Sequence, residues 1–338
     1  MPDPRLKTYA PQAVRHLAAA GHLLSERQET DAGRRGNVPA WPGSDDVDFH
    51  GTLSAIWIWA RHQRLSGATR YQGPRSQAWG FVDTNAKRFI PDAIDSAAGD
   101  ETAYDCAMVL LAAAAEQSLG TLEGKKHAAA DRAARVLANH LGALENLSGR
   151  EFSDPGFLVF ALADYARAVD DRGLLAGARK FIDRAFGMKV PTSFAGEPAA
   201  AGGLFDFSST TGTRILAVVA AEGATPFVGA WLRERVAASV PNGFLPRRQD
   251  ENTWNACAAW ALGRAYVVST DPVFMQAYSD TMDELERRDG DRDGALGRDN
   301  VVKAAETAPT FYYALAVDAL VTPESAAAAQ AEAGVRGR

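Results

Sequence analysis

Acidic side chains crowd a few short stretches of this 338-residue chain. Asp45, Asp46 and Asp48 fall within four positions, and His50 follows two residues later. Tyr104 and Asp105 stand at the head of an apolar run, while Arg247, Arg248, Asp250 and Glu251 precede Trp254. Glu151, Asp154, Asp206, Glu306, Tyr312 and Tyr313 occupy comparable places beside other apolar runs. One acid near a helix start has a plain structural use, because it caps free amides and complements the helix dipole. Three within four positions exceed what a cap needs. Crowded carboxylates repel, so one keeps its proton near neutral pH, and an acid and a base then share one cleft. Cleavage of a glycosidic bond needs that pair: a carboxylic acid to protonate the leaving oxygen, and a carboxylate to activate water or attack carbon.

A second constellation is Asp289-Gly-Asp291-Arg-Asp293-Gly294-Ala-Leu296-Gly-Arg-Asp299-Asn300. Carboxylates at positions 1, 3 and 5, with glycine at 6 and an aliphatic residue at 8, match the calcium loop of EF-hands. Asn300 stands at position 12 in place of the bidentate acid, which weakens the expected affinity. The expected ligand set is Asp289, Asp291, Asp293 and Asn300, holding a structural Ca2+; the plain alternative is a solvated Asp/Gly turn.

The elements that must position these groups read as helices throughout. Apolar periodicity places twelve of them, at about 8–26, 48–65, 75–97, 102–119, 124–145, 153–169, 171–187, 209–222, 225–240, 252–269, 271–288 and 307–321. The even-numbered helices, such as CAMVLLAAAA and FLVFALADYA, are apolar on nearly every face and must be enclosed by protein. The odd-numbered ones carry a polar stripe. A weak repeat aligns the even helices: Asp48, Thr102, Ser153, Ser209, Asn252 and Thr307 stand as expected caps, 43 to 56 residues apart. Three residues beyond each comes Gly51, Asp105, Gly156, Gly212, Asn255 or Thr310. Connections after an even helix are short, whereas several of those before one are long and rich in charged and aromatic residues. Six buried helices inside six amphipathic ones describe an all-α (α/α)6 toroid, a single domain over residues 1–321, followed by a flexible Ala-rich tail from Thr322 to Arg338. The first and last inner helices are as apolar as the others, so the ring is expected to close rather than to form an open array with polar end caps.

In such a ring the long loops gather round one mouth, and the inner helix N-termini point into it. The expected catalytic groups are Asp46, Asp48, His50, Asp105, Asp250 and Glu251. Asp48 is expected to pair with Asp250 or Glu251, because the fifth, sixth and first inner helices are neighbours in a closed ring. Asp105, one turn inside an apolar helix, must either meet a cation such as Arg214 or line a wet cavity. His50 is read as a general base or as a structural donor. Trp41, Trp57, Tyr104, Arg248, Trp254 and Tyr312 are the expected substrate contacts, with the rings offering flat faces to a sugar or a hydrocarbon.

The segments TWNACAAWALGRAYVVSTDPVFMQAY and GFLVFALADYARAVDDRGLLAGARKF resemble the hairpin repeat of six-hairpin carbohydrate-active enzymes, and YDCAMVLLAAAAEQSLG is similar to a segment of the sugar epimerase and isomerase branch. That resemblance implies a carbohydrate substrate and hydrolysis, or a related lyase or epimerase reaction, with no cofactor required. Asp46-Val47-Asp48-Phe49 resembles the general-acid motif of terpenoid cyclases, a second toroid family acting on isoprenoids, with Phe49 where that motif has a further Asp. A toroid serving only as a binding module is the third reading.

The remaining features mostly exclude. The formal net charge is −6, which gives no support to nucleic-acid or anionic-membrane binding. The two cysteines, Cys106 and Cys257, lie within apolar runs and are expected to be small core residues. HExxH, GxGxxG, P-loop and GxSxG patterns are absent, so neither a zinc-hydrolase nor a nucleotide-binding reading is supported. No stretch is apolar enough to span a bilayer, and MPDPRLKTYAPQAV lacks the apolar centre of a secretion signal, so a cytoplasmic location is expected.

Overall fold

A computed structural model describes residues 6–94, 99–143, 153–187, 251–299, 304–322 and 325–327. Ten helices are named among them: α1 (Leu6–Arg27), α2 (Phe49–Ser66), α3 (Gln72–Phe89), α4 (Gly99–Ser118), α5 (Gly124–Ala143), α6 (Ser153–Ala168), α7 (Arg172–Gly187), α8 (Asn252–Ser269), α9 (Pro272–Arg288) and α10 (Thr307–Asp318). The helices expected at 209–222 and 225–240 lie outside the described residues. No strand occurs among the described residues; Glu251 and Asp299 form an isolated antiparallel bridge.

Sequence pattern decides which helices are inside. In α4 every residue from Cys106 to Ala115 is buried, and in α8 so is every residue from Asn255 to Gly263. Alternate helices α2, α4, α6, α8 and α10 form the inner wall, with neighbouring pairs α2–α4, α4–α6 and α8–α10 in contact. The last inner helix packs on the first, α10 on α2. Ring contacts and an ion pair seal that seam: Trp57 meets the edge of Phe311 at 5.6 Å, and Arg61 reaches Asp318 at 2.8 Å across 257 positions of chain. Outer helices α1, α3, α5, α7 and α9 lie against this wall, and α9 shows why: Phe274, Met275, Tyr278, Met282 and Leu285 form its inward stripe.

The inner helices run parallel, because early residues meet early residues and late ones meet late ones. Tyr104, Phe157, Trp254 and Tyr312, all within the first turns of their helices, form one aromatic group. Arg61, Arg167, Arg264 and Asp318, in the last turns, line one cavity. Phe160 meets the edge of Trp260 at 4.9 Å, and both rings line that cavity beside Trp57.

Several boundaries differ from the sequence expectation. The helix expected over 75–97 runs from Gln72 to Phe89. Pro74 falls in its first turn, where a missing N–H costs nothing, and Pro91 pushes Ile90 out of the helical region (φ −120°, ψ 81°). α4 begins at Gly99, which leaves Thr102 inside the helix rather than capping it. Asn252 and Thr307 do not cap α8 and α10 either. Asn252 donates to the Gly297 carbonyl at 2.8 Å and accepts from Arg288, while the Thr307 hydroxyl donates to the Pro39 carbonyl at 2.7 Å. Both polar side chains tie a helix start to a distant loop, a demand that local pattern does not encode. In the tail, Ser325 and Ala326 are buried, and Thr322 and Ser325 exchange hydrogen bonds, so its first turn packs on the body.

Candidate active site

The long loop before α2 is held by one buried amide. Asn37 is fully enclosed; its Nδ2 donates to Glu29 Oε2 at 2.7 Å and to the Asp46 carbonyl at 3.2 Å, and its Oδ1 accepts from the Asp48 N–H at 2.9 Å. Below it, Val38 N–H donates to Thr52 Oγ1, which donates to the Asp48 carbonyl at 2.7 Å. Asp48 is thereby fixed as the N-cap of α2, with Oδ1 accepting from Gly51 N–H at 2.7 Å. A Cβ at position 51 would stand 2.3 Å from Asp48 Oδ2, so the carboxylate sits where only glycine leaves room. Sequence reasoning missed Asn37, because nothing local distinguishes it from any other loop asparagine.

Burial pushes the Asp48 carboxyl up to about 6; the Gly51 amide opposes this and the negative charge of Asp46 adds to it. On the adjacent inner helix, burial pushes Asp105 up to about 7, with the charges of Asp48 and then Glu101 adding to it. Among the described residues, no cation bears on either acid. Arg214, the expected partner for Asp105, lies outside the described residues. The structure thus puts the charge of Asp48 on Asp105, and both are carboxylic acids raised above the ordinary range.

Aromatic rings lie beside them. Half-buried Tyr104, next to Asp105, stacks on Phe157 with centroids 5.2 Å apart and planes inclined by 22°. Phe157 lies 6.4 Å from Tyr312, which lies 6.4 Å from half-buried Trp254. Phe49 stacks on Phe89 at 4.5 Å, covering the start of α2. Trp41 is 47% exposed, on the loop that carries Asp48.

The other expected groups are placed as follows. Asp46 is exposed and acts on Asp48 through its charge. Asp45 points to solvent, 97% exposed, within reach of Arg34. His50 is half-buried, and burial lowers its imidazole to about 4, which keeps it neutral at pH 7 and a poor proton acceptor. Glu251 precedes α8, half-buried and bridged to Asp299. Trp57 sits two and a half turns below the start of α2, about 13 Å along the axis at 1.5 Å per residue, and lines the cavity at the opposite end. Tyr313 faces outward, against His16 of α1 at 4.3 Å. Asp289, Asp291 and Asp293 cluster in the loop after α9. Asp206, Arg247, Arg248, Asp250, Glu151 and Asn300 lie outside the described residues. Cys106 and Cys257 are buried free thiols, pushed up to about 12 mainly by desolvation.

No protein-family model and no curated protein matches the chain. Among solved structures, the crystal structure of an unsaturated glucuronyl hydrolase specific for heparin superposes with a TM-score of 0.57, covering 93% of this chain and 96% of that one at 11% identity. The fold is an (α/α)6 toroid. In the toroid, Asp48, Tyr104, Asp105 and Trp254 stand where the inner helices begin, and among the described residues no helix is long and apolar enough to cross a membrane.

Proposed function

We propose that the protein is a glycoside hydrolase whose acid–base pair is Asp48 and Asp105. The observation that carries this reading is the placement of two proton-retaining carboxylic acids on adjacent inner helices, with the charge of Asp48 bearing on Asp105 and no cation beside either among the described residues. Asp105, the weaker acid, protonates the glycosidic oxygen as the bond from that oxygen to the anomeric carbon breaks. Asp48, the stronger acid, is ionised and takes a proton from the water that attacks the anomeric carbon. The pair then again holds one proton: that of Asp105 has left on the departing oxygen, Asp48 carries the one taken from water, and exchange with solvent restores the starting state. Tyr104, Trp254 and exposed Trp41 offer ring faces to the sugar.

The structural neighbour is an unsaturated glucuronyl hydrolase, so oligosaccharides ending in a uronyl residue are the first substrates to assay. An isoprenoid substrate is less well supported, because it calls for a deep ring-walled cavity at the acids, whereas the cavity of about 340 Å³ lined by Trp57, Phe160 and Trp260 lies at the far end, beside Arg61, Arg264 and Asp318. A panel of saturated and unsaturated uronyl and neutral glycosides should be screened with the wild type and with the Asp48→Asn, Asp105→Asn and Glu251→Gln variants. The expected result is release of a reducing sugar by the wild type, lost in the first two variants and retained in the third. Equal turnover in all four proteins removes the assignment, and turnover of nothing in the panel leaves the toroid as a binding module.

A further inference from the structure

The loop that leaves α9 has no part in the acid–base pair, yet it assembles three carboxylates around one point. Asp289, at the C-terminal end of α9, is only 6% exposed. Its Oδ2 accepts from the Gly294 N–H at 3.3 Å; its Oδ1 is buried and meets no N–H donor among the described residues, and its carboxyl lies against that of Asp291. Asp291 and Asp293 each contribute an oxygen, and the three ligand atoms lie within 4.8 Å of one another. Two oxygens on opposite sides of one Ca2+, at bond lengths of about 2.4 Å, stand about 4.8 Å apart, so this spacing fits a shared coordination sphere. Gly294 holds φ +78°, the turn that brings the chain back under the cluster, and a Cβ there would stand 3.0 Å from the His16 carbonyl. An orphaned carboxylate oxygen in a buried site is costly unless a cation or donor meets it.

We propose that this loop binds one Ca2+ through Asp289, Asp291 and Asp293. The carbonyl of Ala295, at position 7, and water complete the sphere. Calcium fits better than magnesium, because a flexible loop of oxygen donors suits its longer bonds and irregular geometry, whereas Mg2+ demands a tight octahedron and keeps its waters. Immediately after the ligands, the same loop seats two inner helices. The Gly297 carbonyl accepts from Asn252 Nδ2 at 2.8 Å, the Arg298 carbonyl from Asn252 N–H at 2.8 Å, and the Leu296 carbonyl from Glu306 N–H at 3.0 Å. The ion would therefore brace the starts of α8 and α10 against each other, independently of which reaction the toroid performs.

The test uses the full chain stripped with EDTA, titrated with CaCl2 by calorimetry and melted with and without the ion. Asp291→Asn is the informative variant, because that side chain is exposed and its loss leaves the core intact; Asp293→Asn is the second. The expected result is one Ca2+ per chain with Kd about 10⁻⁴ M, the weak end for a loop lacking the bidentate acid. Saturation at a hundredfold excess over Kd should raise Tm by about 4 °C. Asp291→Asn should weaken binding at least about tenfold with an unchanged metal-free Tm. No binding at 10 mM CaCl2 (about a hundredfold over that Kd), wild-type affinity in both variants, or equal stabilisation by MgCl2 would overturn the proposal.

Discussion

Asp105 and Asp318 are both acids on inner helices, one near the start of α4 and the other closing α10, and their surroundings differ in kind. Around Asp318, burial leaves the carboxyl above its ordinary value, the guanidiniums of Arg61 and Arg264 oppose that rise, and Arg61 bonds it at 2.8 Å. Arg61, Asp164, Arg167, Arg264 and Asp318 line a cavity of about 340 Å³ with Trp57 and Trp260 beside them. Basic groups belong there, because the inner helices end there and their exposed carbonyls are partially negative. At the other mouth the helix starts should favour carboxylates, yet Asp48 and Asp105 are raised to about 6 and about 7, with desolvation the largest cause for each. The difference separates two uses of buried charge. At the far end cations meet the acid that closes the ring; at the near end no cation among the described residues meets the acids, and on the proposed mechanism they keep a proton available for chemistry.

The largest expected effect is on rate. Asp48→Asn and Asp105→Asn should each lower kcat by about 10²–10⁴-fold on a substrate the wild type cleaves, while Asp318→Asn should leave kcat within about threefold. Steady-state kinetics on the three purified variants checks this; an equal loss in Asp318→Asn would erase the distinction between the mouths. The next effect is on stability. Arg61→Ala leaves Asp318 at the ring seam with Arg264 alone and should cost about 1–3 kcal/mol at pH 7, read from denaturant midpoints.

Asp105→Asn should act with the opposite sign. A carboxyl raised in the folded state contributes most below its unfolded value, near 4, and that contribution is lost as pH rises through about 7. At pH 8 the ionised Asp105 therefore burdens the fold, and its replacement by Asn should stabilise by on the order of 2 kcal/mol after allowance for partial exposure, fading toward pH 4. Melting curves of wild type and variant across that range report it. A smaller change is expected from Gly51→Ala: the added methyl meets the Asp48 carboxylate and should cost about 1–2 kcal/mol, with a loss of activity beyond that of a remote Ala substitution.

The architecture was legible because helical periodicity and all-round apolarity are local properties. CAMVLLAAAA announces a buried helix without reference to any partner, and the equal greasiness of the first and last inner helices pointed to the closure seen between α2 and α10. The candidate site was legible only in part. Asp48 and Asp105 both stood out in the sequence, one as a cap among crowded acids and the other as a carboxylate inside an apolar run. Their association did not, since ring order alone favoured Glu251 or Asp250, and only three-dimensional placement puts the charge of Asp48 on Asp105. Asn37 and the Arg61–Asp318 pair were invisible for the same reason: their partners lie 8 to 257 positions away.

Carbon-13 NMR of the aspartate carboxyls, followed from pH 3 to pH 9 in the wild type and in Asp48→Asn, tests the coupled pair most directly. The account predicts that Asp105 titrates near 7 in the wild type and falls when the charge at position 48 is removed, while burial, the larger cause, keeps it above the ordinary carboxylate range. Titration of Asp105 near 4 in the wild type, or at an unchanged value in the variant, would contradict it.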